Sequence, residues 1–84
     1  MVKASKLYER LLDAPSSPMA FRDFEQVVTS FGFVHSRTRG SHRAFEHPDV
    51  PRPLILQPRG KDAKPYQQRE FLDMVEAYGL TMDE

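Results

Sequence analysis

The chain has 84 residues, with 12 lysines and arginines against 12 aspartates and glutamates, and no cysteine. A domain of this length buries only roughly 60–65% of the surface its unfolded chain exposes, so one sheet-and-helix core is expected and a deep cleft for a small metabolite is not. The missing cysteine excludes a disulfide framework, a thiolate zinc site and a cysteine nucleophile.

Residues 5–13 read as a short amphipathic helix, because Leu7 and Leu11, and Tyr8 and Leu12, recur at four-residue spacing. Ala14-Pro15-Ser16-Ser17-Pro18 ends it, since a proline disfavours helix at the residue before it. A second helix follows, with Phe21, Phe24, Val27, Val28 and Phe31 on one face and Gly32 at its C-terminal cap. That aromatic stripe is read as core. Residues 33–38 and 41–47 then read as two strands around Arg39-Gly40, a two-residue loop suited to a type I′ hairpin turn. Prolines 51 and 53 bracket the entry to a third strand, Leu54-Ile55-Leu56-Gln57, and Pro58-Arg59-Gly60-Lys61-Asp62 is a basic loop. A last helix should begin near Pro65, carry Phe71, Leu72, Val75 and Tyr78 on its apolar stripe, and stop at Gly79. The order helix, helix, strand, strand, strand, helix predicts an α+β domain, with helices packed on one face of a three-stranded antiparallel sheet. One domain is expected over residues 1–84, with residues 5–13 added in front of a core at 21–80.

Charge is unevenly spread. Residues 35–69 carry eight cations against three acids, whereas residues 70–84 carry five acids and no cation. A basic middle beside an acidic tail suits contact with phosphates. There is no long apolar run, and Met1-Val2-Lys3-Ala4-Ser5-Lys6 lacks a signal peptide's apolar segment, so the cytoplasm is the expected location.

The hairpin makes a sharper prediction. With Arg39-Gly40 as its loop, Thr38 pairs with Ser41, Arg37 with His42, and Val34 with Phe45. Directly opposed residues share a face. Val34 and Phe45 then point at the helices, while Arg37 and His42 stand side by side on the uncovered face with His35 and Ala44 next along. An imidazole beside a guanidinium suits RNA cleavage. That reaction needs a base for the 2′-hydroxyl proton, an acid for the leaving 5′ oxygen, and positive charge around the phosphorus. Arginine can hold a phosphate through two parallel hydrogen bonds. Ser41 would help position it, and Lys61 and Lys64, flanking the start of the last helix, would guide the RNA backbone.

Gly32-Phe33, then Arg37, Gly40-Ser41-His42 and Phe45, together resemble the signature of the HicA toxin family. Leu56-Gln57-Pro58, Ala63-Lys64-Pro65-Tyr66-Gln67 and Tyr78-Gly79-Leu80 extend the likeness, which covers about residues 21–80. The resemblance implies a double-stranded-RNA-binding-domain-like fold and the toxin of a type II toxin–antitoxin system. The activity it implies is metal-independent endoribonuclease cleavage of mRNA, without a cofactor and under control of a HicB-type antitoxin. It makes His42 the catalytic residue. Two features depart from the family's pattern: Pro58-Arg59-Gly60 stands where many short members have Pro-x-His, and the shortest members lack the helix at residues 5–13.

Competing readings remain open from sequence. His35 is a possible second acid or base, and His47, before Pro48, reads as a bystander. Glu46, His47 and Asp49 offer too few nitrogen or sulfur ligands for tetrahedral zinc. Pro48-Asp49 with Asp62-Ala63-Lys64 formally matches a metal-dependent nuclease pattern, but that chemistry wants its acids on adjacent strands. A non-catalytic RNA-binding module of the same fold is the alternative to an enzyme. An inert domain that docks an acidic protein is a third reading.

Overall fold

The structure is a computed structural model that describes residues 3–82. Asp83 and Glu84, the last two acids of the C-terminal stretch, lie outside the described residues. The elements run α1 (Ala4–Asp13), α2 (Phe21–Ser30), β1 (Val34–Arg39), β2 (His42–Glu46), β3 (Leu54–Leu56) and α3 (Pro65–Ala77). The strands form an antiparallel sheet in the order β1-β2-β3. This is the predicted α+β order.

Leu7 and Leu11 of α1 are buried in the same apolar cluster as Phe24, Val27 and Val28 of α2. The Tyr8 ring meets Phe31 edge-on at 4.9 Å between centroids, whereas Leu12 turns outward and is half exposed. Gly32 closes α2 with φ 93°, a left-handed conformation that L side chains rarely adopt, and a Cβ there would fall 3.1 Å from His47 Nε2. His47 is thereby structural: its ring packs on Phe33 and its Nδ1 accepts the Asp49 N–H.

Helix α3 presents a different face from the predicted one. Gln67, Gln68, Phe71 and Met74 are its buried residues, while Leu72 and Val75 are only partly covered and Tyr78 is 41% exposed. The rotation has a polar cause. The fully buried Gln68 side chain accepts the Met19 N–H at 3.0 Å and donates to the carbonyls of Pro15 and Ser17 at 3.1 and 3.0 Å. One amide thus satisfies three backbone groups of the proline-rich linker between α1 and α2. The linker is also held by Phe21 N–H to Lys61 O and Ala63 N–H to Met19 O, both 2.8 Å. Gln68→Leu keeps the apolar bulk but leaves those groups unpaired, and urea unfolding should register a loss of at least about 2 kcal/mol.

The sheet buries Phe45, Leu54 and Leu56 against the helices. Those residues alternate with His42, Ala44 and Ile55, which therefore point to the other, uncovered face. The helices cover one face only, which leaves the hairpin's second face open to a macromolecule.

Candidate active site on the open face of the hairpin

The hairpin register differs from the predicted one. Arg39 pairs with His42, Thr38 with Arg43 and Arg37 with Ala44, so the loop is Gly40-Ser41. The reason is backbone conformation. A loop of Arg39-Gly40 would need an arginine at positive φ, and no non-glycine residue among the described ones has it. Gly40 takes the first loop position at φ 60°, as in a type II′ turn.

Relative to the prediction, each partner moves by two positions, and a two-residue shift preserves faces. Arg37 and His42 therefore still share the uncovered face, as diagonal neighbours, and Arg39 takes the place directly opposite His42. Beyond Arg37 a β-bulge at Ser36 changes the shift to one residue, and faces reverse. His35 pairs with Phe45, and Val34 with Glu46. Val34 accordingly turns outward, 66% exposed, and Phe33 takes the core position instead. His35 does not share the face of His42. Its ring lies against Phe45 at 5.2 Å, and its Nε2 sits 2.7 Å from Thr38 Oγ1 and 3.1 Å from the Arg37 carbonyl oxygen.

Arg37, Arg39, His42, Ala44 and Ile55 line a small depression of about 130 Å³ on the open face. Ala44, 4% exposed, is its floor. Ligand pockets for whole small molecules run to roughly 300–1,000 Å³, so this depression fits a single group such as a phosphate. The side chains of Arg37, Arg39 and His42 are exposed and, among the described residues, have neither an ion pair nor a hydrogen-bond partner. Glu46 is the acid on the same face of β2, but it lies four residues from His42, roughly 13 Å along the strand. The local field is positive and unspent.

At the side of His42 away from Arg39 stands Gln57, the residue that follows β3. It donates from Nε2 to Ser41 Oγ at 3.0 Å and accepts at Oε1 from Lys64 Nζ at 3.0 Å. Its own backbone N–H donates to Gln67 Oε1, also at 3.0 Å. Ser41 and Lys64 are thus brought together through Gln57, a link that sequence reasoning did not single out. Lys61 goes elsewhere. It borders a separate hollow with Arg22, Glu25 and Arg43 at the start of α2, where Arg43 pairs with Glu25 at 2.7 Å. Asp49 lies in the turn after His47 and Asp62 in a tight turn closed on Arg59, so neither is on adjacent strands of the sheet.

No curated protein and no solved structure matches the chain significantly. The family model described as HicA toxin of bacterial toxin–antitoxin matches residues 21–76, from the first residue of α2 to within one residue of the end of α3.

Proposed function

The chain belongs to the HicA toxin family of bacterial toxin–antitoxin systems, and from that premise we propose that it is a metal-independent endoribonuclease that cleaves mRNA, with His42 as its catalytic residue. Membership of a toxin–antitoxin family implies an antitoxin partner, and the partner proposed is of the HicB type. Among the described residues no helix is long and apolar enough to cross a membrane. The activity is assigned to the cytoplasm, where mRNA is found.

The observation that carries this reading is the imidazole of His42 on an open sheet face, with the guanidiniums of Arg37 and Arg39 around one small depression and none of the three paired among the described residues. In the proposed reaction a phosphate of the RNA sits in that depression. Arg37 and Arg39 donate to its non-bridging oxygens, where negative charge builds as the 2′ oxygen attacks phosphorus. Neutral His42 takes the 2′-hydroxyl proton. Because His35 faces the other way, the protonated His42 is the imidazolium available on this face to return a proton to the departing 5′ oxygen. The two arginines supply the positive charge that such a reaction requires, so no step needs a metal.

Incubation of the protein with end-labelled RNA in EDTA tests the proposal directly. Cleavage is expected to proceed undiminished, with products ending in a 2′,3′-cyclic phosphate. RNA that stays intact while binding with steep salt dependence would overturn it in favour of a non-catalytic RNA-binding module.

A further inference from the structure

We infer that Gln57 is a positioning residue that turns Ser41 into a hydrogen-bond donor for an RNA phosphate beside His42. The inference rests on the ribonuclease reading above and deepens it.

The argument is one of hydrogen-bond direction. An ammonium has three donors and no acceptor. Lys64 Nζ, 3.0 Å from the Gln57 side chain, must therefore face its oxygen, Oε1. That fixes the amide's orientation and turns Nε2 toward Ser41 Oγ, also at 3.0 Å. The serine oxygen now accepts, and its hydroxyl hydrogen is left to donate outward. Every bond in the chain Lys64 → Gln57 → Ser41 points the same way, and the chain ends on an open donor. Lys64 itself keeps two further N–H donors. An end of this kind selects an acceptor, preferably an anionic one.

The location matches a phosphate next to the reaction centre. One residue beyond the Arg43–Leu56 pair, the two strands continue as His42 and Gln57, and Ser41 directly precedes His42. The relay is anchored from below, since Gln57 N–H donates to the buried Gln67 of α3. Hairpin turn, strand end and helix start are thus fastened at the flank of the imidazole. Neither Ser41 nor Lys64 alone has a fixed direction; Gln57 gives both one.

Gln57→Glu separates this role from mere tethering. A carboxylate accepts from both Ser41 and Lys64, so the tether survives and gains an ion pair. The serine hydrogen, however, is drawn inward and a negative charge stands where the phosphate should lie. Thermal unfolding should be unchanged or raised, while affinity for a 2′-deoxy, uncleavable oligonucleotide falls roughly tenfold to a hundredfold. The loss should appear in KM more than in kcat for cleavable RNA. Gln57→Ala should lose less affinity than Gln57→Glu but more stability. In a Ser41→Ala background, Gln57→Ala should cost little further affinity, as residues acting through one another are not additive.

Wild-type-like binding by Gln57→Glu would overturn the inference, as would full additivity of the serine and glutamine variants. Because binding is read with an uncleavable oligonucleotide, either result leaves the ribonuclease reading to its own test. A wild-type protein that neither binds nor cuts RNA would overturn both.

Discussion

His42→Ala is expected to slow RNA cleavage by about 10²–10⁴-fold, the usual contribution of a positioned acid–base group, without changing the stability of the fold. The two halves of this expectation have one structural source. The imidazole is exposed and has no partner among the described residues, so nothing in the core depends on it. Surface substitutions of this kind stay within about 0.5 kcal/mol. Loss of the ring removes the group that takes the 2′-hydroxyl proton, while Arg37 and Arg39 keep the phosphate site. Affinity for uncleavable RNA should therefore persist in the variant. His35→Ala is the informative contrast, since His35 lies on the opposite face against Phe45 and should be dispensable for cleavage. A His42→Ala protein that cuts RNA at the wild-type rate would sink the assignment. A His35→Ala protein as inactive as His42→Ala would mean that RNA reaches both faces of the hairpin.

The contrast between His35 and His42 also marks where sequence reasoning reached its limit. The helices were legible because apolar residues repeat at helical period and end at glycines: Phe21 to Val28 before Gly32, and α3 before Gly79. The strands were legible as well, and so was the sharing of one face by Arg37 and His42. Register was not. It depends on which loop position needs positive φ and on an extra residue at Ser36, and neither alters the apolar pattern. In consequence the sequence pattern places Arg39 in the turn, whereas it stands opposite His42. A Gly-first reading of the turn, Gly40-Ser41, would have found it.

The glutamines were hidden for a different reason. Gln57, Gln67 and Gln68 carry no charge and little apolar surface, so neither charge nor hydropathy patterning gives them a role, even where Gln57 and Gln67 fall within the family likeness. Their roles come from long-range partners: Gln68 reaches Pro15 and Ser17, and Gln57 reaches Ser41. A buried amide that satisfies several backbone groups has no periodic signal. It also displaced the predicted stripe of α3, because the turn holding Gln67 and Gln68 had to face inward, which carried Phe71 and Met74 with it.

Phe71→Ala is expected to cost about 3–5 kcal/mol, the range for removing a fully buried phenylalanine and leaving a cavity. The position justifies the upper part of that range. Phe71 meets Phe24, Phe31 and Phe33 edge-on, with centroids 5.7, 5.4 and 6.0 Å apart, so one ring joins α3 to α2 and to the residue entering β1. Deleting it forfeits three such contacts along with the transfer energy of the ring. A domain of this length has roughly 4–13 kcal/mol of stability in all, and each kcal/mol shifts Tm by about 4–8 °C. The melting temperature should therefore fall by roughly 12 °C or more, and the variant should be partly unfolded at growth temperature if the parent is in the lower half of that range. Urea denaturation measures the loss, and a change under about 1 kcal/mol would show that neighbouring rings close the cavity. Cleavage adds a second reading. Phe71 touches no part of the open face, so activity should fall only in proportion to the folded fraction and return on cooling. His42→Ala should give the opposite pattern, an intact fold with no recovery of rate at any temperature, and the pair of variants separates the scaffold of this protein from its chemistry.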